Sequence, residues 1–232
     1  MHNIKSFDQF LNESRAKYDG ISSKLTKETF KRWITDWKQG KSQSVFIEQV
    51  ELDGLEFDLT ATLYFDKVKS TKIKGFEVLG STGADGRDED DDGDDQTPYI
   101  IIDFAINSEW LPTYWQDIYM HLADCMRHEI EHITQDGASI GNYRMGKPNE
   151  DDQVMRELIK AGMLPEFHYL LLPKEVDANL QGLRFEAKKR KEPMIQAINR
   201  YLDAKNVSTE ERKQVLDQWR IRAKKIGGIP KF

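Results

Sequence analysis

The sequence predicts an α+β fold: an antiparallel or mixed sheet built from residues 44–106, packed on one long amphipathic helix, with a helical C-terminal half. Three observations carry this. Val45, Ile47, Leu55, Phe57, Leu59, Ala61, Leu63 and Phe65 alternate with polar neighbours, the period of strands buried on one face. Between 113 and 135 the period changes, and Tyr114, Ile118, Leu122, Cys125 or Met126, Glu129 and Ile133 recur every three or four residues, an apolar stripe for the core. After residue 150 helical spacing continues almost to the end of the chain.

Taken in order, Ile4, Phe7, Phe10 and Leu11 give a short amphipathic helix over 4–17 that stops near Gly20, and a second helix over 27–39 is closed by Gly40. The first strands follow, with Asp53-Gly54 between them as a two-residue hairpin turn. Residues 72–79 make a third strand. The stretch 80–97 contains a dense run of aspartates around Gly86 and Gly93, whose self-repulsion and lack of apolar residues predict a loop or disordered insert. Asp88, Asp90 and Asp92 open like a calcium loop, but the twelfth position, where an EF-hand needs glutamate, is Tyr99. Residues 99–106, more continuously apolar, predict a well-buried strand. The long helix 113–135 ends before Gly137. Four further helices are predicted over 151–162, 173–190, 194–205 and 208–226, the last opening with Ser208 and Glu211 in capping-box spacing. The organisation expected is an amphipathic segment at 1–20, then a single domain at 21–232 carrying the acidic loop 80–97.

Composition excludes several classes. Five Trp, eight Tyr and eleven Phe in 232 residues rule out a wholly disordered chain. The single Cys125 excludes an internal disulfide framework and suits a reducing compartment. No apolar run is long enough to cross a bilayer, and residues 1–14 lack a secretory signal pattern, so no membrane partner and no signal-peptide secretion are expected. A net charge of -6 argues against nucleic acid as a general partner. Arg184 with 188–191, and Arg220, Arg222, Lys224 and Lys225, form two basic clusters that read as solvated faces at helix ends.

The chemistry concentrates in Arg127-His128-Glu129-Ile130-Glu131-His132 on the long helix. Residues four apart lie one turn apart on the same face, so both imidazoles reach one ion, and Zn2+ is the ion that suits them. Glu129 is angled to the side, where it can act on a water as general base without ligating. A catalytic zinc needs a third protein ligand, and the best candidate is Glu175, two residues after Pro173 at the start of a helix with the small Ala178 on one side. Asp177 is the rival, its side chain about 200° around the same helix from that of Glu175. Asp177, Asp136 and Glu131 are the carboxylates available to take a ring proton from a ligating histidine, with Glu131 expected to face solvent. Tyr143, His168 or Tyr169 would steady the oxyanion of a tetrahedral intermediate.

Here the chain resembles the gluzincin metallopeptidases, members of the zincin group, over residues 99–190. The resemblance implies a zincin-like fold and a third ligand supplied by a glutamate in a Glu-x-x-Ala-like setting on the next helix, matched by Glu175 and Ala178. It also implies zinc-dependent hydrolysis of a peptide or protein substrate. A second resemblance lies in Lys5-Ser6-Phe7-Asp8-Gln9-Phe10-Leu11-Asn12-Glu13-Ser14, which is similar to the capsid-targeting peptides of internal head proteins in large contractile-tailed bacteriophages. Such peptides are cut by a prohead protease after Leu-x-Glu before a small residue, which Leu11-Asn12-Glu13 followed by Ser14 fits. That resemblance implies a packaged protein with capsid or prohead protease as partner, and widens the expected location from cytoplasm to the interior of a virion. Two other functions use the same residues: a virion structural protein whose zinc site is a staple or inactive, and a hydrolase of a non-peptide amide such as a cell-wall crosslink.

Overall fold

A computed structural model describes residues 7–39, 44–52, 55–65, 76–84, 98–106, 114–135 and 150–232. The protein is α+β, with a four-stranded mixed sheet. It falls into two compact units, one of Ser22–Lys147 and one of Met1–Ile21 with Pro148–Phe232. The division between them lies inside the first helix, α1 (Phe7–Lys38).

That helix differs from the sequence reading, which broke it into 4–17 and 27–39 at Gly20. One continuous helix of 32 residues forms instead. Gly20 is exposed, and a Cβ there would meet nothing within 4 Å. A glycine inside a helix costs about 1 kcal/mol relative to alanine, too little to break a helix that buries Ile21, Leu25 and Trp33 in the turns that follow.

In the unit containing the sheet, β1 (Ser44–Leu52) and β2 (Leu55–Phe65) pair antiparallel with Leu52 opposite Leu55, which leaves two residues for the connection, as Asp53-Gly54 predicts. The register shifts by one residue between Ile47 and Val50, a bulge in β1. β4 (Pro98–Ile106) lies parallel to β2, and β3 (Phe76–Ala84) closes the order β1-β2-β4-β3 antiparallel to β4. The sheet is therefore mixed, one of the two arrangements expected. One strand reading needs correction. β3 extends to Ala84, five residues into the stretch read as loop, because the run from Gly80 to Ala84 carries no apolar alternation to mark it. Its backbone ladder with Ile102 to Pro98 builds the strand instead. β4 is well buried, as its apolar run predicts: Pro98, Ile100, Ile102, Phe104 and Ile106 are buried and the residues between them half-covered. The acidic residues 85–97 lie outside the described residues, as does the calcium-loop pattern within them.

The long helix, α2 (Trp115–Gln135), runs against β4 and β3. Its inward face is Ile118, Leu122, Met126, Ile130 and Ile133, and the choice left open at 125 or 126 falls to Met126, with Cys125 half-buried. In the same core, Trp33 packs edge-on to Phe104 at 5.5 Å and donates from its indole nitrogen to the Ala61 carbonyl at 3.2 Å.

The other unit is helical: α3 (Glu150–Lys160), a short 3-10 helix (Glu166–Leu171), α4 (Pro173–Arg190), α5 (Met194–Ala204) and α6 (Thr209–Ile226), close to the predicted boundaries. Leu180, Leu183, Ile198, Leu202, Val215 and Trp219 form its core. Ser208 and Glu211 make the predicted capping box, each satisfying the other's backbone N–H. Within this unit the first helix is tied down through Asp19, which accepts from Arg184 at 3.1 Å and from Lys188 at 3.5 Å. Much of the basic character read from residues 184–190 is neutralised here: Arg184 by Asp19, and Arg190 by the buried Glu186.

Candidate metal centre

α2 delivers the histidine pair as the spacing requires. His128 and His132 sit one turn apart, both half-buried, with ring centroids 4.7 Å apart and planes at 76°. Their Nε2 atoms approach to 3.0 Å. Nδ1 of His132 lies 3.2 Å from Gln135 Oε1. With that oxygen accepting the Nδ1 proton, neutral His132 presents a lone pair at Nε2, directed where the His128 nitrogen also points. Two imidazole ligands of a tetrahedral zinc stand about 3.3 Å apart when each Zn–N bond is about 2.0–2.1 Å, so the observed pair is close to ligand spacing. The donor chemistry fits a borderline cation such as zinc.

Glu129 is buried, 4% exposed, next to a half-buried His128. One residue along the helix turns its side chain by about 100°, so it flanks the pair from the core side. Arg127, on the other flank of His128, is fully buried and forms an ion pair with Glu131 at 2.8 Å. Glu131 was expected to face solvent, but its side chain is only 19% exposed, since the i,i+4 pairing with Arg127 holds it down.

In the helical unit, Glu175 occupies the first turn of α4 behind Pro173 and is 4% exposed. Two donors meet on its Oε1: the Tyr169 hydroxyl at 2.7 Å and Arg156 Nη2 at 2.7 Å. The Arg156 guanidinium also lies 4.9 Å from the Tyr169 ring centroid. Burial, reinforced by the negative charge of Glu175, pushes the Tyr169 hydroxyl well above its ordinary range, so it remains a proton donor at neutral pH. Asp177, the rival to Glu175, is instead gripped by Arg222, whose Nε lies 2.6 Å from Oδ1 and whose Nη2 holds Oδ2. The fork ties Asp177 to α6.

His168 has its Nδ1 3.1 Å from the Pro165 carbonyl and its ring against Phe167. Tyr143 and Asp136 lie outside the described residues. Two participants were missed by reading the sequence. Gln135 takes the place beside His132 that was sought among carboxylates only, and its i+3 spacing was the available signal. Arg156, 19 residues before Glu175, gave no local sign.

No protein-family model, curated protein or solved structure gives a significant match to the chain.

Proposed function

We propose that this chain is a metal-dependent hydrolase whose metal is held by His128, His132 and Glu175. Within that class, the reading is a zinc peptidase of the zincin type with the gluzincin ligand pattern. The observation that carries it is the convergence of two imidazole Nε2 atoms to 3.0 Å on one helix, with a buried carboxylate on the very next residue after the first of them. Two half-buried imidazoles and one buried carboxylate are side chains that could hold a metal ion.

Zinc, when bound, supplies Lewis acidity that polarises a carbonyl and acidifies water. The chain's own groups do the rest. His128 and His132 bind through Nε2, with Gln135 fixing the His132 ring by its Nδ1. Glu129 accepts a proton from the attacking water and returns it to the leaving amine. Its burial keeps that carboxylate from being screened by bulk solvent. The substrate is a peptide or protein that lies along β3, the edge strand against which α2 runs, and adds to the sheet by backbone pairing.

A structural staple would need the ligands but has no use for a base beside them, so Glu129 favours the enzyme over a virion protein with an inert site. The test is metal analysis of purified protein with a proteome-wide cleavage assay. Wild type should carry about one zinc, His128→Ala and His132→Ala should lose it, and a chelator should stop cleavage. Zinc-free wild type, or cleavage that survives the chelator, would overturn the proposal.

A further inference from the structure

We propose that Tyr169 is a positioning residue for the metal ligand Glu175, acting with Arg156 as a two-point clamp on one carboxylate oxygen; this rests on the zinc-site reading above. Both donors lie 2.7 Å from Oε1, and the carboxylate they hold is 5% exposed. A carboxylate held only through its own χ angles rotates, and each binding event must then stop that rotation. Two donors on the same oxygen stop it beforehand, so the direction of the second oxygen is set by the protein rather than by the ion.

The clamp itself is braced. The Arg156 guanidinium lies over the Tyr169 ring at 4.9 Å, so each donor restrains the other. Tyr169 stands on the 3-10 helix next to Leu170, whose carbonyl accepts from the buried Trp219 at 2.8 Å. The backbone that carries the hydroxyl is thereby tied to α6. Tyr169 has a single hydroxyl proton, and that proton is given to Glu175. This separates its role from the oxyanion-stabilising one its residue type suggested, which would require the proton to reach the substrate.

Zinc affinity, measured by competition with a chromophoric chelator, and the thermal midpoint of the metal-free protein are compared for wild type, Tyr169→Phe and Arg156→Lys. Tyr169→Phe keeps the ring and removes only the donor, and Arg156→Lys keeps the charge but loses the planar fork. Tyr169→Phe is expected to weaken zinc binding by about 10- to 100-fold and Arg156→Lys by less, while the metal-free proteins remain folded and melt in a single cooperative transition. Wild-type protein that binds zinc, with both variants within about twofold of its affinity, overturns the clamp and leaves the zinc site standing. Wild-type protein that binds no zinc overturns both.

Discussion

Trp219 donates its indole N–H to the carbonyl of Leu170 at 2.8 Å, a buried bond between residues 49 apart in the chain. It joins the middle of α6 to the 3-10 helix that presents Tyr169 and leads into α4. Trp219→Phe would leave that carbonyl without its donor and a gap beside it. Chemical denaturation should show a loss of about 1–3 kcal/mol. An unchanged midpoint would mean that water replaces the indole at no cost.

Glu129→Gln separates binding from chemistry. The amide is nearly the same size but takes no proton at neutral pH. The variant should carry as much zinc as wild type, and its peptide hydrolysis should fall by at least about 100-fold. Metal analysis and a cleavage assay on the same preparation check both halves; substantial residual turnover would assign the base elsewhere.

Gln135 holds Nδ1 of His132 from 3.2 Å. Gln135→Leu should lower zinc affinity by about 10-fold or more, and Gln135→Glu, which supplies a stronger acceptor, should restore it. Equal affinities in all three proteins would show that the ring is oriented by something other than this contact.

Gly20 sits exposed in the interior of α1 with open space where a Cβ would go. Gly20→Ala should therefore stabilise the protein by about 0.5–1 kcal/mol, partly by restricting the unfolded chain. A destabilised variant would indicate that the helix is not continuous there.

The capping box gives a pH signature. Hydrogen bonding by Ser208, through its side chain and then its backbone, holds the Glu211 carboxylate below its ordinary value of 4.5. A carboxylate depressed in the folded state adds stability above its unfolded value, and that stability is lost as pH falls through the folded one. Ser208→Ala should cost about 1 kcal/mol at neutral pH. The gap from wild type should then narrow below pH 4.5 as Glu211 is protonated. Thermal melts across that range test it; a constant gap would mean that Ser208 acts only as a neutral cap.

Much of this architecture was legible because it is written in short-range periodicity. The alternation from Leu55 to Leu63 marks β2 without any knowledge of its partners. The four-residue interval from His128 to His132 fixes their common face whatever surrounds the helix, because 3.6 residues per turn is a property of the backbone. Ser208 and Glu211 are legible for the same reason. What failed was judged by local propensity where packing decided otherwise: Gly20 did not end a helix whose neighbours are buried, and Gly80 to Ala84 became strand through a ladder with β4.

The sequence by itself determined the histidine pair, the adjacent carboxylate and the candidacy of Glu175, since residue type and interval carry that chemistry. Only the tertiary structure decided that Asp177 belongs to Arg222 and that Tyr169 spends its hydroxyl on Glu175 together with Arg156. Those choices depend on which charged groups meet after the helices pack. A carboxylate's partner is set by distance in space, and Arg222, 45 positions from Asp177, leaves no trace in the residues around it.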